Sequence, residues 1–291
     1  MLIFSVCAAG YVIFFRAAFA FESGPTLNAD VVFEEPDPPH HIGDLDRKST
    51  VPDSELPRVA IIFDDIGHDK VLGEKLLSSP MELTYSFLPF APFTEELEQL
   101  ASLAGKTIFL HLPLEPKSKE WDPGPGALLL DDSPEEQIAK FKKCLDRVPH
   151  AIGVNTHMGS LYTEDAEAMQ SLMREVDRRS LLFVDSYTSA SSFGLKSARE
   201  LGVTSGRRHV FLDNVLDEEK ICNQLSTLVL LAEKQGWAIG IAHPHQVTVA
   251  AIDSCSKKFS ARVQYVNIKD LLYSDPFSAP TLLQTTVVRE N

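Results

Sequence analysis

The sequence predicts an α/β fold of seven or eight parallel strands, arranged as a complete or incomplete (β/α) barrel. Three observations predict it. From Arg58 onward, short apolar and β-branched runs alternate with longer segments of helical period. The runs are nearly continuous in hydrophobicity, as strands buried on both faces of a parallel sheet must be. No G-x-G-x-x-G turn follows any run, which argues against the competing doubly wound dinucleotide fold.

The apolar runs are RVAIIFDD (58–65), ELTYSFLP (82–89), TIFLHLPL (107–114), AIGVNTHM (151–158), LLFVDSY (181–187), HVFLD (209–213), AIGIAHPH (238–245) and VQYVNIKDL (263–271). Helices are expected near 69–79, 93–104, 133–147, 164–178, 194–202, 217–235 and 247–258. Ser133-Pro134-Glu135-Glu136 combines an N-cap, a proline at the first helical position and acids in the first turn. Thr163-Glu164-Asp165 and Asp217-Glu218-Glu219 are similar starts.

The ends of the runs carry the chemistry. They deliver Asp64-Asp65, His111 then Glu115, Asn155 with His157 and Ser160, Asp185-Ser186, Asp213-Asn214, and His243-Pro244-His245. In parallel α/β folds the C-terminal strand ends converge on one rim, where sites are built. Adjacent carboxylates after an apolar run repel each other and suffer desolvation, and on an extended strand they point in different directions. A division of labour follows, one binding a cation and the other accepting a proton from water. A carboxylate with two imidazoles is an open site for zinc or another divalent metal, and Asp65, His111 and His157 are the favoured set. Glu115 is a reserve ligand or a partner to one. Asp185 is expected to orient a catalytic histidine or to hold a basic side chain. Residues two apart on an extended chain face the same way, so both His243 and His245 can reach the rim, His243 as the inner one.

The rest of the chain bounds its context. With 27 basic against 41 acidic residues, it is unsuited to binding nucleic-acid phosphates. Residues 1–20 read as an export signal or an N-terminal anchor, with Ala18-Phe19-Ala20 in the small-x-small form of a cleavage site. Export places the protein in the periplasm or outside the cell, and the anchor reading ties it to the envelope through that end. Residues 21–57 are an acidic, proline-rich disordered linker, and residues 24–57 hold six prolines and eight acids. The barrel domain is expected over 58–275, and 276–291 form a tail. Cys7, Cys144, Cys222 and Cys255 lie far apart with no C-x-x-C, so no disulfide framework is expected, and the last three read as small core residues.

The ordered blocks AIIFDDIG (60–67), SFLPFAP (86–92), LHLPLEP (110–116), GPGAL (124–128), GVNTHMGS (153–160), FVDSYT (183–188), VFLDN (210–214) and IGIAHPH (239–245) resemble the divergent polysaccharide deacetylase family, the YibQ-like branch of the carbohydrate deacetylases. The resemblance spans about residues 60–245 and implies a distorted or incomplete barrel, the NodB-like deacetylase fold. It also implies metal-dependent removal of N-acetyl groups from an envelope or extracellular carbohydrate. By resemblance Asp64 is the base, Asp65 a metal ligand, His243 or His245 the general acid, and Asp185 a residue that tunes them. Asn155, Ser160, Asp213 and Glu115 stand behind these or contact substrate. The better-known deacetylases carry a His-x-x-x-His metal pair, which here reads His111 and Glu115, and no Arg-x-Pro-Tyr element is present. A non-catalytic exported metal-binding scaffold, and a metal hydrolase of another amide or ester, remain open at this point.

Overall fold

A computed structural model describes residues 56–274. The expected export segment, nearly all of the linker and the tail lie outside the described residues. Among the described residues no helix is long and apolar enough to cross a membrane.

Strand and helix alternate as the hydrophobic pattern requires. The order is β1 (Arg58–Ile66), α1 (Lys70–Leu77), β2 (Thr84–Phe87), α2 (Thr94–Leu103), β3 (Thr107–Leu114), α3 (Pro134–Arg147), β4 (Gly153–Met158), α4 (Ala166–Arg178), β5 (Leu182–Asp185) and α5 (Gly194–Glu200). Then come β6 (Ser205–Arg207), β7 (Val210–Phe211), α6 (Glu218–Gln235), β8 (Trp237–Ala242), α7 (Gln246–Ser256), β9 (Gln264–Val266) and α8 (Ile268–Ser274). Ser133 forms a reciprocal capping box with Glu136, while Asp165 and Asp217 each accept from a backbone N–H of the first turn. Gly236 closes α6 in the left-handed conformation that a residue with a Cβ disfavours.

Every strand pairing is parallel, in the order β6-β5-β4-β3-β2-β1-β8-β7, with β9 added beside β1. The chain lays strands outward from β1 in one direction up to β6, then returns to the other side of β1 for β8 and β7. No ladder joins β6 to β7 among the described residues, so the barrel is open there, as the sequence predicts for an incomplete barrel.

Strand periodicity divides the core in two. Outward residues of the sheet pack under the helices, among them Ile61, Phe63, Tyr85, Leu110 and Val154. Inward residues, including Ala60, Ile62, Phe109, Val184, Phe211, Ile239 and Ile241, form a second core inside the barrel. The floor of this inner core is α8, through Ile268, Leu271 and Leu272. Gly153 is inward too, and a Cβ there would stand 2.3 Å from the Phe109 ring, so the tip of the ring takes the space of the missing side chain.

Three expectations are corrected. The run 263–271 is not one strand, because β9 stops at Val266 and α8 begins at Ile268. Asn267 supplies the start signal, its Oδ1 accepting from Asp270 N at 3.0 Å. A short strand that the pattern did not reveal, β6, adds to the far edge. Cys222 and Cys255 form a disulfide, with Cα atoms 5.8 Å apart, and only Cys144 is the free buried residue expected. The pair is 33 residues apart and meets because α6 and α7 pack side by side, which no local spacing signals.

Candidate active site

The inner core ends in polar residues one step further along the same strands. Two residues beyond Ile62 comes Asp64, beyond Phe109 His111, beyond Gly153 Asn155, beyond Val184 Ser186, beyond Phe211 Asp213 and beyond Ile241 His243. Period two therefore turns all six toward the barrel axis. Each of them is buried. They form one polar layer above the apolar one.

Asp65 joins this layer through a local irregularity. The register of β1 on β2 shifts between Phe63 and Ile66, and Asp65 takes φ 54°, the left-handed region. The expectation that the two carboxylates point in different directions fails for this reason. His111 Nε2 lies 3.7 Å from Asp64 Oδ2 and 3.1 Å from Asp65 Oδ1. A left-handed, non-glycine residue at such a place is strain maintained by its surroundings. The same occurs at Met158, φ 53°, at the end of β4.

Asp65 Oδ1, His111 Nε2 and His157 Nδ1 converge. The carboxylate oxygen is 3.1 Å from His111 and 3.0 Å from His157, and the two imidazole nitrogens are 3.2 Å apart. All three lie within 4.8 Å of one another, a candidate site for one metal ion. The donor set fits a divalent cation. Two neutral imidazoles and a carboxylate suit zinc and leave positions for water and substrate. Asp65 Oδ1 is buried, and no donor meets it in hydrogen-bonding alignment.

Charge in this layer is unevenly shared. Burial raises the pKa of Asp64; His111, His243 and the Asn155 hydrogen bond offset that only in part, and Asp65 adds to it. Burial also acts on Asp65, but His157 and His111 outweigh it and hold that carboxyl well below its usual range. His111 is pushed down by burial and pulled up further by Asp64 and Asp65, for a net rise. One carboxylate thus stays ionised among the imidazoles, and the other is the better proton acceptor.

Asn155 stands between the two. Its Nδ2 lies 2.8 and 2.9 Å from the Asp64 oxygens, and its Oδ1 3.1 Å from His111 Nδ1 and 2.5 Å from Ser86 Oγ. Across the layer, Asp213 holds His243. Oδ2 accepts the backbone N–H at 2.7 Å, Oδ1 lies 3.0 Å from Nδ1, and Thr248 donates to Oδ2 at 3.0 Å. Burial lowers the pKa of His243, but Asp213, with smaller contributions from Asp65 and Asp64, overrides it and raises the value to about 9.

Residues 61–272 match the model of the family described as divergent polysaccharide deacetylase. The chain belongs to that family. It is 30% identical over 216 residues to the uncharacterized protein YibQ of Escherichia coli K12, covering 74% of this chain and 67% of that protein. It is 31% identical over 225 residues to an uncharacterized Haemophilus influenzae Rd protein, covering 77% of this chain and 79% of that one. It is also similar to the crystal structure of an uncharacterized protein from Agrobacterium tumefaciens C58. That match has a TM-score of 0.71 at 27% identity, over 79% of this chain and 94% of the other.

Within this family member, two expected site residues, Asp185 and Glu115, hold the frame instead. Asp185 does not touch a histidine: its oxygens accept from Tyr187 N at 2.9 Å, Ser192 Oγ at 2.9 Å and Leu195 N at 3.0 Å, tying down the loop into α5. Its position explains the correction, because it is one residue short of inward-facing Ser186. Glu115 is not in the metal cluster. Its Oε2 accepts from Leu130 N at 2.6 Å, bracing the connection from β3 to α3. Ser160 accepts from Lys117 N at 3.0 Å and braces the same connection. His245 is the N-cap residue of α7, half-buried, with its backbone N–H donated to His243 O at 2.8 Å.

Ser86 and Thr248, which the motifs do not single out, and Ser186, named at a strand end without a role, belong to the layer. Ser86 on β2 and Ser186 after β5 contact Asn155, and Thr248 in α7 contacts Asp213. Period-two counting from the apolar residues of each strand would have found the two serines. Thr248 is on a helix, and only the packing of α7 over the rim brings it in.

Proposed function

We propose that the protein is a divalent-metal-dependent hydrolase, with zinc as the metal, that removes N-acetyl groups from a carbohydrate of the cell envelope or extracellular space. One observation carries this reading. A single buried layer brings together a carboxylate of raised pKa (Asp64), a carboxylate–imidazole–imidazole cluster (Asp65, His111, His157) and an imidazole of raised pKa (His243). Amide hydrolysis needs a base for water, stabilisation of a developing oxyanion and an acid for the leaving amine.

When bound at Asp65, His111 and His157, the metal would lower the pKa of water and polarise the acyl carbonyl. Asp64 takes the proton of the attacking water. Its burial supports that role, because desolvation disfavours the charged carboxylate and makes it a stronger base. His243 gives a proton to the departing nitrogen. Asp213 receives Nδ1–H, so the proton to be delivered is that on Nε2, and the carboxylate stabilises the imidazolium until transfer. A raised imidazole pKa suits an amine leaving group, which departs only after protonation.

Family membership supports a carbohydrate as substrate. Export is supported by the apolar, uncharged start of the chain and by the Cys222–Cys255 disulfide, a bond that persists in oxidising compartments.

The test is metal analysis of the purified protein followed by acetate release from a panel of N-acetylated glycans. Stoichiometric zinc and acetate release are expected. Asp64→Asn is expected to keep its metal and lose about 10²–10⁴ of the rate. Bound metal without acetate from any glycan would favour a scaffold role, and full activity in Asp64→Asn would overturn the base assignment.

A further inference from the structure

We propose that Asn155 is a positioning residue for both halves of the site, its one amide setting the orientation of Asp64 and the tautomer of His111 together. The inference rests on the reading of Asp65, His111 and His157 as a metal centre beside a base.

Hydrogen-bond accounting carries it. An ionised carboxylate only accepts. Asp64 therefore selects the NH₂ side of Asn155, at 2.8 and 2.9 Å from its two oxygens. That choice leaves Oδ1 to face Ser86 Oγ at 2.5 Å and His111 Nδ1 at 3.1 Å. An amide oxygen only accepts, so both neighbours must donate, and His111 carries its proton on Nδ1. Nε2 of the neutral ring then presents its lone pair toward Asp65 Oδ1, 3.1 Å away, where a cation would sit. With the amide turned over, oxygen would meet carboxylate and N–H would meet Nδ1. The His111 proton would move to Nε2 and point at the cation position.

The arrangement is sealed. Asn155 is fully buried, and Asp64, Ser86 and His111 are nearly so. Its partners come from β1, β2 and β3, with Ser186 beyond β5 a fourth at 3.3 Å. The metal side and the base side of the site are thus coupled through one side chain, and neither can be reoriented alone.

The experiment compares the full chain with Asn155→Leu, similar in shape but without donor or acceptor, and with Ser86→Ala, which removes one donor to Oδ1. Two readouts are used. Zinc titration calorimetry is expected to show binding about 10–100-fold weaker in Asn155→Leu, as for other residues that orient ligands, with a smaller loss in Ser86→Ala. Long-range ¹H–¹⁵N correlation on the metal-free protein, at alkaline pH where the imidazole is neutral, is expected to find the Nδ1–H tautomer of His111 in the wild type and in Ser86→Ala, where Asp64 still fixes the amide, and a mixture in Asn155→Leu. A wild-type His111 protonated on Nε2, or tautomer and affinity unchanged in every variant that folds, would overturn the proposal. A wild type that binds no zinc but shows the Nδ1–H tautomer and its loss in Asn155→Leu would refute the metal reading and leave the role of Asn155 standing.

Discussion

Asp213 grips His243 at two points, the backbone N–H at 2.7 Å and the ring Nδ1 at 3.0 Å, so the loop after β8 is set by a carboxylate at the end of β7. Burial alone would lower the pKa of this imidazole, and the neighbouring charge of Asp213 leads the rise to about 9. Turnover is expected to fall as pH rises through about 9, where the acid form is lost. Asp213→Asn should move that limb of the kcat profile to lower pH. The sign for stability is the same. The folded-state value lies above the ordinary 6.5, so the contribution of His243 is complete below 6.5 and lost as pH rises through about 9. Urea unfolding of wild type and Asp213→Asn should therefore differ more at about pH 6 than at about pH 10. An unshifted kcat limb would show that another group titrates.

The candidate metal cluster predicts a linked change in stability. A ligand that binds only the folded chain at about 100 times its Kd adds about 2.7 kcal/mol. Zinc at that excess should raise Tm in the wild type and leave it unchanged in His157→Ala, whose ring otherwise supplies one of three converging atoms. Chelator should reverse the rise. Equal shifts in both proteins would mean that zinc binds elsewhere.

The disulfide between α6 and α7 links the helices that follow Asp213 and His243. Removing it by Cys222→Ser with Cys255→Ser is expected to cost about 2–4 kcal/mol in chemical denaturation, given the loop that it closes. Burial pushes the Cys144 thiol up to about 12, so Cys144 should not react with a thiol reagent until the chain unfolds. Rapid labelling of Cys144 in the native protein would contradict its placement.

Gly153 and Phe109 give a packing test. A methyl group at 153 would meet the ring at 2.3 Å, so Gly153→Ala should cost about 1–3 kcal/mol as an overpacked core. Combining it with Phe109→Leu should recover part of that loss, a non-additive pair in a double-mutant cycle. Strict additivity in urea unfolding would show that the ring moves aside freely.

The parts of this molecule that were legible in the chain are those governed by local period. Continuous apolar runs such as VAIIF and IGIA mark strands buried on both faces, and caps such as Ser133 and Asp217 mark helix starts. The convergence of strand ends in a parallel sheet placed Asp64, His111 and His243 on one rim. Asp185 misled for the same reason that the others were right. It is a titratable residue at a strand end, but one position out of phase with the inward set. Glu115 misled because spacing from His111 says nothing about the later segment, Leu130, that captures it.

By itself the sequence determined the alternating α/β architecture, the rim as the place where titratable residues gather, and the candidate metal set Asp65, His111 and His157. The first two follow from hydrophobic burial and the position of strand ends, which act over a few residues, and the third from the ligand chemistry of a carboxylate with two imidazoles. Only the tertiary structure decided that Asp65 turns back through a left-handed bulge beside Asp64, that Asp213 takes His243, that Asn155 bridges base and ligand, and that Cys222 reaches Cys255. Each of those depends on which distant strands and helices become neighbours, and contacts between β1, β4, β7 and β8 are set by the order of strands across the whole sheet rather than by any local pattern.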